Sequence, residues 1–185
     1  MDVPIDVTTT VIETERLLLR AWEERDLADF FAYASVPGVG EMAGWPAHQT
    51  IEETSNILAM FRAGKSVFAI VHKQDNKVIG SLGLHQSWAN EATEYMHLYA
   101  KEIGYVLSKS YWGHGLMPEA VHAVIDYYFK HSPINAFTCG HFCSNSQSQR
   151  VIEKCGFQFV EQSTYFAAML KQTFEDRKYI LLKEH

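Results

Sequence analysis

Leu27, Phe30, Phe31 and Ala34 recur at the i, i+3, i+4, i+7 spacing that puts apolar side chains on one face of a helix. Asp26 precedes them as a cap candidate, with Asp29 three positions on. Upstream, Leu17-Leu18-Leu19 flanked by charges within Val11–Arg20 predicts a strand. Thr50 followed by Glu53 predicts a second helix start, with Gly64 as its end. The period then changes: Ser66–His72 and Lys77–His85 predict two strands joined by Gln74-Asp75-Asn76, and Tyr95–Leu107 a longer third.

Helical spacing returns with Leu116, Ala120, Ala123, Val124 and Tyr127, and Pro118 falls in the first turn, where a missing N–H costs nothing. Ala136–Phe142 predicts a strand, and Asn145 or Ser146 caps a short helix through Lys154 that Gly156 closes. Phe157–Glu161 and Lys178–Leu182 complete the set. Strand, two helices, antiparallel strands, helix, strand, helix, strands is an α+β order built on a central mixed sheet, not a regular βαβ alternation. Residues 1–185 read as one domain, with 1–12 a poorly ordered or peripheral leader.

Composition narrows function by exclusion. A net charge of −6 argues against general nucleic-acid binding. No apolar run approaches the roughly 20 residues of a membrane span, and no secretory signal is visible, so a cytoplasmic location is expected. Cys139, Cys143 and Cys155 lack the paired spacing of a disulfide framework. Cys139, His141 and Cys143 alternate on one strand face, but no fourth ligand accompanies them, so no metal is expected.

The candidate chemistry lies in Gly113-His114-Gly115, between a strand pattern and a helix start. Such a turn offers backbone N–H groups to a phosphate. It lacks the Gly-Lys-Ser/Thr of a P-loop and the third glycine of a dinucleotide fingerprint. A second triplet, Gly38-Val39-Gly40, has neither a strand before it nor a helix after, and reads as a plain loop.

Glu102-Ile103-Gly104-Tyr105-Val106-Leu107 followed by Tyr111-Trp112-Gly113-His114-Gly115-Leu116-Met117-Pro118-Glu119-Ala120 resembles the acetyl-coenzyme A motif of the GNAT acyltransferase superfamily. The resemblance is to its Rim-type, ribosomal-protein N-terminal acetyltransferase branch. Thr14-Glu15-Arg16-Leu17-Leu18-Leu19-Arg20, Trp45-Pro46-Ala47-His48, and Asn145-x-x-Ser148-x-Arg150 through Lys154-Cys155-Gly156-Phe157 are similar to further segments of that branch, in the same order. One departure is Ser110, where the superfamily usually carries Gln or Arg.

The resemblance implies a GNAT fold: a mixed, mostly antiparallel twisted sheet with helices on both faces. It also implies N-acetyl transfer from acetyl-coenzyme A to a primary amine by direct attack in a ternary complex. Cofactor contacts are expected from Tyr105, Val106, Leu107, Ser110, Trp112, Gly113, His114, Gly115, Leu116 and Met117, with Asn145 and Ser148 at the reacting end. Glu102 is the first candidate base, Ser148 the donor to the leaving thiolate, and Asn145 an orienting residue. Glu41, Trp45, His85 and His97 are expected on the acceptor side. The acceptor is a protein N-terminus or a small amine such as a polyamine or amino-sugar, and the chain a monomer or homodimer. Two other readings stay open: a coenzyme A-binding regulatory module without turnover, and a nucleotide-phosphate binder.

Overall fold

The computed structural model describes residues 1–184. In chain order the strands are β1 (Ile12–Glu13), β2 (Leu17–Ala21), β3 (Val67–His72), β4 (Lys77–Gln86), β5 (Ala100–Leu107), β6 (Ala136–Phe142), β7 (Gln158–Ala167) and β8 (Gln172–Leu182). The helices are α1 (Leu27–Ala34), α2 (Ile51–Gly64), α3 (Leu116–His131) and α4 (Ser146–Lys154). All eight strands form one sheet in the order β1-β2-β3-β4-β5-β6-β8-β7. Among the described residues only β5 and β6 run parallel, because α3 returns the chain to the same end of the sheet between them.

Both faces of the sheet centre are covered, and β3 shows why its sequence is apolar throughout. Phe68 and Ile70 enter the core formed with α3, while Val67, Ala69 and Val71 enter the core formed with α1 and α2. A strand buried on both faces loses the polar alternation of a half-exposed one.

The helix ends are set by particular contacts. Thr50 Oγ1 accepts from Glu53 N at 3.1 Å to cap α2, and Asn145 Oδ1 accepts from Ser148 N at 3.1 Å to cap α4. α2 ends at Gly64 as expected, and the left-handed residue that follows it is Lys65 (φ 54°). Asp26 does not cap α1 with its side chain. Its buried carboxylate takes Arg20 in a fork at 2.7 and 2.8 Å and the N–H of Glu23 at 2.8 Å.

Three other expectations are corrected. Residues 1–12 are not peripheral: Val3 and Val7 are buried in the main core, and Asp2 pairs with Lys101 at 2.9 Å. β5 starts at Ala100, after a 3-10 turn at Thr93–Tyr95, not at Tyr95. β7 and β8 form one long hairpin rather than two short strands. Their far residues are mostly exposed and mix polar side chains with Tyr165, Phe166 and Phe174, so they lack the regular apolar–polar alternation that marks a strand.

Candidate active site

β5 and β6 pair only at Ala100↔Ala136, Lys101↔Phe137 and Glu102↔Thr138. Beyond that they part, although β4 stays paired to β5 as far as Leu107 and β8 to β6 as far as Phe142. The backbone of β5 from Ile103 onward therefore has one ladder edge without a strand partner, open to a gap. A cavity of about 1270 Å³ occupies this gap and the space beneath the α1–α2 connection.

At the end of β5 the chain is held by short-range contacts. Ser108 N donates to Ile79 O at 2.7 Å, and Trp112 Nε1 donates to Leu107 O at 2.7 Å. Gly113 (φ 81°) and Gly115 (φ 74°) follow in the left-handed region that side chains disfavour. Their conformation turns the chain into the N-terminus of α3, and a Cβ on Gly113 would meet nothing within 4 Å. The open space, free amides and helix dipole together fit a pyrophosphate. Arg16 braces the turn from the side: its Nη1 donates to His114 O at 2.9 Å and its Nε to Glu119 Oε2 at 2.7 Å.

α4 lies along the other side of the gap. Tyr105 Oη and Ser148 Oγ are 2.9 Å apart near its N-terminal end, and Cys155 Sγ approaches Pro118 O at 3.9 Å near its C-terminal end. Burial raises the Tyr105 phenol well above its ordinary pKa. α4 thus spans from the middle of β5 to the first turn of α3.

The opposite sheet face carries the groups expected on the acceptor side. His85 and Glu102 are register partners on β4 and β5, and the His85 ring lies across Gly83 and Gly104. A Cβ on Gly83 would stand 2.4 Å from His85 Nε2, so the bare backbone makes room for the imidazole. Burial and the charge of Lys101 lower the His85 pKa. Glu102 is pushed up by burial, partly offset by a 3.2 Å hydrogen bond from Thr138 Oγ1, which also contacts Ser87 Oγ at 2.8 Å.

Asp176, opposite Phe142 in the β6–β8 register, lines the same cavity with Oδ1 buried and without a hydrogen-bond partner. Burial raises its pKa, and its charge in turn raises that of Glu102. Nothing local in the sequence marks Asp176, because its position depends on the pairing of β8 with β6. Trp45, Phe142 and Tyr165 supply aromatic walls, with Phe142 and Tyr165 centroids 5.9 Å apart.

Most expected site residues line this one cavity: Glu102, Tyr105, Val106, Leu107, Trp112, Gly113, Gly115, Leu116, Met117, Asn145, Ser148, Trp45 and His85. Four do not. His97 is exposed in the turn before β5, since the strand begins later than its sequence pattern suggests. Glu41 Oε2 instead accepts from Gly38 N at 2.7 Å and closes the α1–α2 connection. Ser110 Oγ faces Ser108 Oγ at 3.1 Å, outside the lining, and His114 is an exposed turn residue whose carbonyl serves Arg16.

Conversely, Gly38-Val39-Gly40 is more than a plain loop. Gly38 and Val39 line the cavity, and Gly40 makes room for Trp45, whose ring would be 2.1 Å from a Cβ there. His141 is committed elsewhere, with Nδ1–H donating to Phe142 O at 2.8 Å and Nε2 at 3.2 Å from Tyr179 Oη. Among the described residues, no helix is long and apolar enough to cross a membrane.

The family model described as an acetyltransferase (GNAT) domain matches residues 16–158. The uncharacterized N-acetyltransferase YoaA of Bacillus subtilis (strain 168) is 28% identical over 153 residues, covering 80% of this chain and 82% of that protein. Among solved structures, a GNAT-family acetyltransferase from Bacillus anthracis superposes with a TM-score of 0.81 at 24% identity, over 95% of this chain and all (100%) of that one. RimL, a ribosomal L7/L12 α-N-protein acetyltransferase solved in complex with coenzyme A, gives a TM-score of 0.75 at 18% identity, over 94% of this chain and 98% of its own.

Proposed function

Because the chain belongs to the GNAT acetyltransferase family, we propose that it moves the acetyl group of acetyl-coenzyme A directly to a primary amine that reaches the Glu102 side of the sheet. The observation that carries this reading is the parting of β5 from β6 immediately after Glu102, leading into the Gly113–Gly115 turn. The gap leaves unpaired backbone for an amide-bearing acyl arm to pair with, and the turn offers amides to the pyrophosphate at its far end.

In this reading an N–H of β5 facing the gap donates to the thioester carbonyl and stabilises the negative charge that develops on its oxygen. Glu102 accepts a proton from the attacking amine. Burial raises its pKa above the ordinary carboxylate range, which strengthens it as a base. The new N–C bond forms as the C–S bond breaks, and sulfur leaves with the electron pair.

The Tyr105–Ser148 hydroxyl pair serves that sulfur as a hydrogen-bond donor. Burial raises the Tyr105 phenol well above its ordinary pKa, so it stays protonated and the pair can point a proton at the charge that develops on sulfur. Asn145, held as the α4 cap, keeps Ser148 in place through its backbone N–H.

The acceptor end carries Glu102 and Asp176 between aromatic walls, which favours a cationic amine with an apolar portion over an acidic one. A protein N-terminus and a small polyamine both meet that description. The test is thiol release from acetyl-coenzyme A across a panel of N-terminal peptides, diamines and amino-sugars. Amine-dependent release is expected; coenzyme A binding without release from any amine would support a regulatory module instead.

A further inference from the structure

We propose that Arg150 and Lys154 on α4 hold the 3′-phosphate of coenzyme A, an assignment that rests on acetyl-coenzyme A being the donor. The glycine turn offers backbone amides, but the charges beside it are already engaged, Arg16 by Glu119 and His114 O and Lys109 by Pro37 O, and Ser110 is uncharged and faces Ser108. The protein carries a net charge of −6, so a polyanionic nucleotide needs local cations to be attracted at all.

Cations near the cavity fall into two groups. Lys109 donates to Pro37 O and sits 5.8 Å from the Trp112 ring centre, Lys178 pairs with Glu161 at 2.9 Å, and Arg16 pairs with Glu119 at 2.6 Å. Arg150 and Lys154 are exposed, line the cavity, and have no ion-pair or side-chain hydrogen-bond partner among the described residues. The carboxylate next to them, Glu153, is taken by Gln149 Nε2 at 2.8 Å. Two cations at i and i+4 lie one above the other on a helix and repel, a cost that an anion between them removes.

Their position along α4 fits the nucleotide end. Ser148 marks the acyl end through Tyr105, while Cys155 reaches Pro118 in the first turn of α3. Six helical steps carry the chain from Ser148 to Lys154, a rise of about 9 Å, with Arg150 one turn before Lys154. Lys154 therefore lies at the end of α4 nearer the glycine turn, and both residues line the cavity. The turn amides suit the pyrophosphate, which leaves the remaining phosphate for the side chains, and Arg presents a fork matched to it.

Calorimetric titration with coenzyme A and with dephospho-coenzyme A, which lacks only the 3′-phosphate, tests the assignment. The unmodified protein is expected to prefer coenzyme A by about tenfold. The double variant Arg150→Ala/Lys154→Ala should lose that preference while its Kd for dephospho-coenzyme A stays unchanged. Equal weakening toward both ligands would overturn the assignment in favour of pyrophosphate contacts, and an unaltered preference would overturn it outright. Failure of the unmodified protein to bind either ligand would overturn the donor reading and this one with it. An Arg150→Gln/Lys154→Gln pair, matched in melting temperature, gives the same readout if the alanine variant does not fold.

Discussion

Tyr105 Oη and Ser148 Oγ stand 2.9 Å apart across the gap that separates β5 from α4. Tyr105 Oη also lies 3.3 Å from Ser148 O, and when Tyr105 donates to Ser148 Oγ the Ser148 proton is left to point into the cavity. If that proton meets the departing sulfur, Ser148→Ala and Tyr105→Phe should each lower kcat by about 10- to 100-fold, the worth of one hydrogen bond to a charged group. Because the hydroxyls act as a unit, the double variant should cost little more than either single one. Strictly additive losses in a steady-state double-mutant cycle would show that the two act separately.

Glu102 couples activity to stability in opposite senses. As a general base its removal in Glu102→Gln should lower kcat/KM by about 10²–10⁴. The acid limb of the wild-type pH profile, lying above the ordinary glutamate range of about 4.3, should vanish with it. The folded carboxyl has a raised pKa and so binds more protons than the unfolded one. Its contribution to stability therefore falls as pH rises through the interval between the two values. Glutamine escapes that loss, so the variant should melt higher than wild type at pH 7, with the gap closing toward pH 4. A lower melting temperature at pH 7 would mean the carboxylate is stabilised in place, contrary to its burial.

Asp176 should govern which amine is accepted. Its buried, unpartnered oxygen can take a second ammonium of a diamine while Glu102 serves the reacting one. Asp176→Asn should lower kcat/KM for a diamine by about tenfold, with a much smaller effect on a monoamine of equal length and none on coenzyme A affinity. A uniform fall across both amines would assign Asp176 to the fold of the β6–β8 ladder and not to selection.

The two sides of the site differ in how far the sequence discloses them. The side proposed for the donor is built from contiguous stretches, β5 with its glycine turn and the capped helix α4, so local spacing and motif order already bring Tyr105, Gly113, Gly115 and Ser148 to the cavity. The side proposed for the acceptor is assembled by register. Glu102 meets His85 because β4 pairs antiparallel with β5, and Asp176 joins them because β8 crosses to pair with β6. No periodicity within a segment encodes those meetings. His97 lies away from the cavity because the run from Met96 to Tyr99, after the 3-10 turn at Thr93–Tyr95, folds as an irregular turn and does not extend β5. Gly40 is legible only in three dimensions, through the Trp45 ring that its missing side chain admits.

Glu119 joins the turn to the N-terminal hairpin. It accepts Thr14 Oγ1 at 2.6 Å, Arg16 N at 2.9 Å and Arg16 Nε at 2.7 Å, and Arg16 in turn holds His114 O. Burial alone would raise the Glu119 pKa, but the hydrogen bonds from Thr14 and Arg16 and the charge of Arg16 outweigh it, and the net shift is downward. A carboxyl with a depressed folded pKa lends stability that is present above its unfolded pKa and lost as pH falls through the folded value. Glu119→Gln should thus cost about 1 kcal/mol at pH 7, kept to that low end because Arg16 is 41% exposed, and progressively less as pH falls through the lowered folded pKa. In a chain of this length that is a drop of about 2–4 °C in Tm. The same change frees Arg16 and loosens the carbonyl of His114, so coenzyme A affinity should fall although Glu119 never touches the nucleotide. Calorimetric Kd values for Glu119→Gln and Arg16→Ala should weaken together by a similar factor. An intact affinity in both, with the Tm loss present, would confine this network to holding the hairpin.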